Sequence, residues 1–186
     1  PLKDEAVRCK GFLGRGGEKP PRSLDMSQLG RWLTDETLDP PVKAMIVMAA
    51  NPAVTCPDSA KVREGLARED LFTVVGEQIM SDTARFADVV LPATTFLEHD
   101  DLYKSYGQHT LQYGQAVLPP RGKARCNHDV VNDLAWRLGY EEEDFTLGVS
   151  QTIGEILKES GLSDPSWWEK GRWLDFSPDE EAASFA

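Results

Sequence analysis

Residues 42–50, VKAMIVMAA, form an apolar run bounded by prolines and too short for a free-standing helix. That pattern belongs to a strand covered on both faces, as in a parallel sheet. The next segment, PDSAKVREGLARED, offers Asp58 or Ser59 as a helix N-cap and sets Val62 and Leu66 four residues apart on one helix face. LFTVV (71–75) reads as a second strand, SDTARFA (81–87) as a short helix capped by Ser81, and DVVLP (88–92) as a third strand. Strands alternating with helices in this order require right-handed crossovers. The prediction is an α/β chain with a parallel, Rossmann-like partial domain, flanked by helices and irregular segments.

The flanks are less regular. Residues 1–41 are rich in Gly, Pro and Arg and read as loop, with a short helix capped by Ser27 that carries Leu29, Trp32 and Leu33 on one face. Beyond Pro92 the alternation fades into loop or irregular β. A helix returns at NHDVVNDLAWRLG, with Asn127 as N-cap, Val130, Val131, Leu134 and Leu138 as its apolar stripe and Gly139 as its stop. Another follows at SQTIGEILKESG, capped by Ser150, with Ile153, Ile156 and Leu157 inside and Gly161 as stop. The expected division is a loop-rich segment (1–41), an α/β unit (42–140) and a helical, Trp-rich segment (141–186). Trp167, Trp168 and Trp173 make an aromatic patch that needs cover and favours self-association.

Composition narrows the partners. A formal charge of −11 repels nucleic-acid backbones and anionic membranes, so nucleic acid is not an expected partner. No apolar run approaches the roughly 20 residues that span a bilayer, so no membrane insertion is expected. Cys9, Cys56 and Cys126 lie far apart without a CxxC, which gives neither a zinc or iron–sulfur signature nor a disulfide framework. The first residues lack both an initiator methionine and a signal-peptide stretch, so the chain reads as an internal piece of a longer polypeptide. The expected compartment is the cytoplasm, with the periplasm as the alternative.

Ligands of open parallel sheets bind beyond the carboxyl ends of the strands. Three polar stretches fall there: AANPAVT (49–55), GEQIMSDT (76–83) and PATTFLEHDD (92–101). Thr55 and the amides near Asp58 suit a phosphate or ribose, and Ser81, Asp82 and Thr83 open a short helix whose amides point outward. Each has a plainer reading: Asn51-Pro52 as a turn, Ser81 and Thr83 as caps, Asp88 as a carboxylate bonded to a cap or a buried amide. Neither GxGxxG nor GxxxxGK[ST] is present, which disfavours an ordinary NAD site or a P-loop. Glu98, His99, Asp101 and His109 match no zinc spacing, so no metal ligand is assigned. Without a GxSxG elbow no catalytic nucleophile is assigned either.

The succession NPAVTCPD, VREGLAREDLFTVV, MSDTARFADVVLPATTFLEHDDLY and LPPRGKARCNHDVVNDLAWRLG resembles the molybdopterin oxidoreductases of the dimethyl sulfoxide reductase type, over about residues 25–140. The resemblance implies a large subunit that binds molybdenum as bis(molybdopterin guanine dinucleotide), with an iron–sulfur cluster and the molybdenum ligand outside this stretch. It implies that Asn51 and Thr55 meet the dinucleotide's phosphates and ribose, with Ser81 and Thr83 in the same crevice. Asp88 would accept from guanine, whose N1–H and exocyclic amine match two carboxylate oxygens. Gly76 and Glu77 depart from the amide or acid pair that ends this strand in many members. The remaining domains of the parent subunit, and an electron-transfer subunit, are the implied partners. The alternative is a stand-alone module that binds a nucleotide or a partner without redox chemistry.

Overall fold

The computed structural model describes residues 23–104, 106–107, 109–140, 145–162 and 173–175. Residues 1–22, the acidic run 141–144, and Trp167 and Trp168 lie outside the described residues. For Trp173 only the backbone is described.

Three parallel strands form the first sheet: β1 (Ala44–Met48), β2 (Phe72–Glu77) and β3 (Val89–Pro92), in the order β1-β2-β3. Val47 pairs with Val75, and Val75 with Val90. The α/β expectation holds, and β2 runs two residues further than the sequence suggested because it is laddered on both sides up to Gly76 and Glu77. Helices α1 (Leu29–Thr34), α2 (Pro52–Thr55) and α3 (Ser59–Leu66) accompany it. As expected, Asp58 caps α3, its carboxylate accepting from Lys61 N at 3.4 Å.

Two other caps differ from expectation. The chain enters α1 through a 3-10 turn at Met26–Gln28, so Ser27 falls inside a turn that Asp25 caps by accepting from Ser27 N at 2.9 Å. The 81–87 helix contracts to a 3-10 turn, Ala84–Phe86, although the Ser81 hydroxyl still accepts from Ala84 N at 3.3 Å.

One face of the sheet is closed by α1 and α3. Leu33, Val62, Leu66 and Leu71 form a buried cluster, and Val47, Val75 and Ala84 form a second against the sheet. Helices α1 and α3 touch through glycine: a Cβ on Gly65 would lie 2.3 Å from Leu33 Cβ. The other face departs from the expected two-sided cover. Ile46 is 62% and Phe72 53% exposed. Among the described residues, Arg125, Asn127, Val130 and Leu134 approach it, across a cavity of about 390 Å³.

Past β3 the chain builds an antiparallel sheet that the sequence showed only as irregular β: β4 (Asp101–Lys104), β5 (Thr110–Gly114) and β6 (Trp173–Asp175), in the order β4-β5-β6. Helix α4 (Asn127–Arg137) begins one residue after its N-cap position, Cys126. Its expected apolar stripe is not buried among the described residues, with Leu134 42% and Leu138 74% exposed; Ala135 is the residue it buries. Helix α5 (Val149–Glu159) sets Ile153 and Leu157 on Tyr113 of β5. Its expected cap, Ser150, lies inside the helix, whose start is held by Gly148 N donating to Gln151 Oε1 at 3.0 Å. Gly139 (φ 82°) and Gly161 (φ 72°) stop the two helices as expected, in a left-handed conformation that favours glycine. No helix among the described residues is long and apolar enough to cross a membrane.

Candidate functional site

A cavity of about 430 Å³ opens beyond the carboxyl ends of the parallel strands. Ala49 follows β1, Gly76 and Glu77 end β2, and Ala93 follows β3. The opposite wall comes from the start of α4, with Cys126 and His128, and from Thr152 and Ile153 of α5. Ala49 takes φ 50°, turning the backbone sharply where β1 ends.

Glu77 offers this cavity a half-engaged carboxylate. Its Oε1 accepts from Gln78 N at 2.9 Å, while Oε2 has no partner among the described residues. Gln78 is drawn to the next loop, its Nε2 donating to the Thr94 carbonyl at 3.0 Å, and the Thr94 hydroxyl meets His99 Nδ1 at 2.9 Å. Asp100 ties three segments together by accepting from Tyr113 OH (2.8 Å), Ala116 N (2.8 Å) and Ser150 OH (2.9 Å). Burial pushes the Asp100 carboxyl up, but these three donors outweigh it and its pKa lies below the ordinary value. Burial pushes the Cys126 thiol up.

Four of the five expected cofactor residues come together, in a lock between the loops after β1 and β2. Thr83 donates to Asn51 Oδ1 from its amide (3.1 Å) and its hydroxyl (2.8 Å), and that hydroxyl accepts from Ala53 N at 3.1 Å. The Thr55 hydroxyl donates to the Asn51 carbonyl at 3.0 Å, and Ser81 holds Ala84 N. The lock stands beside the strand ends, and the Asn51 Nδ2 amide has no partner among the described residues.

Asp88 stands apart from the other four. It precedes β3, at the amino end of the sheet, where its Oδ2 accepts from Thr73 N at 2.7 Å and its amide donates to the Thr73 carbonyl at 2.9 Å. Parallel strands all run the same way, so a residue at the start of β3 stands one strand length from the cavity, roughly 13 Å at about 3.3 Å per residue. Its plainer reading, a carboxylate bonded to a backbone amide, is the one observed.

Glu98, His99, Asp101 and His109 do not assemble. Glu98 accepts from Thr95 N, Thr95 OH and Arg121 N, and the Thr95 bonds come first among the causes that hold its carboxyl below the ordinary value. His99 Nε2 and Asp101 Oδ2 are 4.0 Å apart, and His109 is exposed. Sequence reasoning gave no role to three residues of the cavity. Glu77 was legible from its place at the end of β2. Cys126 and His128 were not, because the turn that brings them there depends on the bridge between Ala93 and Arg125.

A parallel α/β unit with a crevice across its strand ends belongs to the architectures that bind ligands at a topological switch point. The sequence pattern of the molybdopterin oxidoreductase family matches residues 26–137, and the chain belongs to that family. A probable oxidoreductase of Bacillus subtilis strain 168, YoaE, is 43% identical over 147 residues, covering 79% of this chain and 21% of the relative. The assimilatory nitrate reductase catalytic subunit of the same organism is 32% identical, covering 72% of this chain and 19% of the relative. Trimethylamine-N-oxide reductase 1 of Escherichia coli strain K12 is 33% identical, covering 69% and 15%. Among solved structures, acetylene hydratase from Pelobacter acetylenicus superposes with a TM-score of 0.66 at 25% identity, over 83% of this chain and 21% of that one. The chain thus spans between 15% and 21% of the length of these relatives.

Proposed function

We propose that this chain is one piece of a molybdenum oxidoreductase large subunit and supplies part of the crevice for molybdopterin guanine dinucleotide. The observation that carries the reading is the cavity of about 430 Å³ across the carboxyl ends of three parallel strands, with the Glu77 carboxylate facing it. The residues present fit the nucleotide end of such a group. The free Glu77 oxygen and its partner form an acceptor pair suited to the adjacent N1–H and amine of guanine. Asn51 keeps an amide Nδ2 to give to a phosphate or ribose, while Thr83, Ser81 and Thr55 hold the loop that presents it. The bound group supplies the redox chemistry; the chain binds and orients its nucleotide end. No residue here is assigned to the molybdenum or to an iron–sulfur cluster. The remaining domains of the subunit are the partners that close the crevice and the open face of the first sheet, and an electron-transfer subunit belongs to the whole enzyme.

Calorimetry with GMP, GDP and AMP tests the reading. Guanine nucleotides are expected to bind about tenfold or more tightly than AMP, equivalent to about 1.4 kcal/mol. Glu77→Gln is expected to remove the preference and Asp88→Asn to leave it intact. Equal affinities for the three nucleotides, or a guanine preference untouched by Glu77→Gln, would refute the assignment.

A further inference from the structure

Cys126, His128 and Asp129 each bring a ligand atom within 4.8 Å of the other two, the one such convergence among the described residues. We propose that they form a binding site for a borderline-soft divalent cation of the zinc class. This inference stands apart from the nucleotide reading and does not depend on it.

Three observations carry it. The first is spacing. Ligand atoms around a tetrahedral zinc, at about 2.0–2.3 Å from the metal, stand roughly 3.3–3.6 Å from one another. His128 Nδ1 and Asp129 Oδ1 already lie 3.4 Å apart, and the Cys126 thiol lies within 4.8 Å of a ligand atom of each. The second is support from a neighbouring helix. His128 Nε2 meets the Thr152 hydroxyl of α5 at 3.0 Å, an oxygen that can accept an Nε2–H, while Asn132 Nδ2 donates to the Leu147 carbonyl at 3.0 Å. A ring nitrogen held from outside while the other faces the ligand cluster is the usual arrangement of a metal-bound histidine. The third is charge. The Arg125 guanidinium is taken by the Asp133 carboxylate and the Asp129 carbonyl, and the Asp129 carboxylate instead meets the Cys126 thiol and His128. A thiolate and a carboxylate balance a divalent ion, and both anions suit the amino end of a helix. Cys126 and His128 line the wall of the cavity at the strand ends, and the cysteine is 7% exposed.

The chemistry sets the selectivity. A thiolate and an imidazole favour zinc, cobalt or nickel, while magnesium and calcium prefer all-oxygen sites. The plainer alternative is an Nδ1–H hydrogen bond from His128 to Asp129 with no ion.

The test uses the 186-residue chain, stripped with a chelator and titrated with Co²⁺ as a spectroscopic probe. The expected result is one ion per chain, a sulfur-to-cobalt charge-transfer absorption, displacement by Zn²⁺ and none by Mg²⁺. Cys126→Ser is expected to abolish that absorption, with the fold checked by circular dichroism. Asp129→Asn, at an exposed position, and Thr152→Val keep the thiol in place. Thr152→Val is expected to weaken binding by about 10–100-fold through loss of the outer hydrogen bond. Absence of Co²⁺ uptake overturns the proposal, as does uptake without a sulfur band. A band that survives Cys126→Ser and disappears with Cys9→Ser or Cys56→Ser also overturns it.

Discussion

Asp100 shows how a single side chain holds separate parts of this chain together. Its carboxylate joins the start of β4 to Tyr113 of β5, to the loop at Ala116 and to Ser150 of α5. Its folded-state pKa lies below the ordinary value, so its contribution to stability is present above the ordinary carboxylate range and is lost as pH falls through the folded pKa. Asp100→Asn is expected to cost about 1–3 kcal/mol near neutral pH, because donors are left without their acceptor. It is also expected to flatten the acid side of the stability curve. Denaturant unfolding across a pH series measures both, and an unchanged acid limb in the variant would count against the assignment. Asp88 teaches the complementary lesson. That a carboxylate at the head of a buried strand needs a donor follows from desolvation. Which donor it meets, Thr73 N, follows from the register of β3 on β2.

Between elements, the lock of Asn51 and Thr83 fixes how the loop after β1 lies on the turn after β2. Thr83 is fully buried and makes three hydrogen bonds to the loop after β1, two through its hydroxyl. Thr83→Val keeps the shape and removes the hydroxyl, leaving the buried Ala53 amide without its acceptor. The expected cost is about 1–3 kcal/mol, read by chemical denaturation, together with faster hydrogen exchange at the Ala53 amide. A stability equal to that of the original chain would show that the lock is not needed. Both residues were visible in the sequence as residues of the strand-end loops, and their pairing was not. They are 32 positions apart, and the parallel pairing of β1 with β2 is what brings the two loops side by side.

Among the described residues, the parallel sheet is closed on one side and open on the other. Ile46 and Phe72 stand on the open face, with Val89 38% exposed beside them, whereas parallel sheets are ordinarily covered on both faces. In the isolated chain this face is expected to drive self-association between copies, and Ile46→Lys is expected to shift sedimentation velocity profiles toward monomer. Profiles that remain unchanged would exclude the face as the contact. The strands, the crossovers between them and the crevice at their carboxyl ends were legible from apolar runs of strand length, prolines at their borders and a cap at Asp58. These are local signals, carried by backbone preference and periodicity. The antiparallel sheet of β4, β5 and β6 was not legible, because its pairing joins residues 110–112 to 173–175 and no local pattern encodes so distant a partner. The burial of α5 rather than α4 and the placing of Cys126 and His128 across the cavity from Glu77 were likewise decided by packing. Which apolar stripe finds cover, and which polar side chains share a cavity, depends on where the sheets stand relative to the helices, and only the assembled chain specifies that.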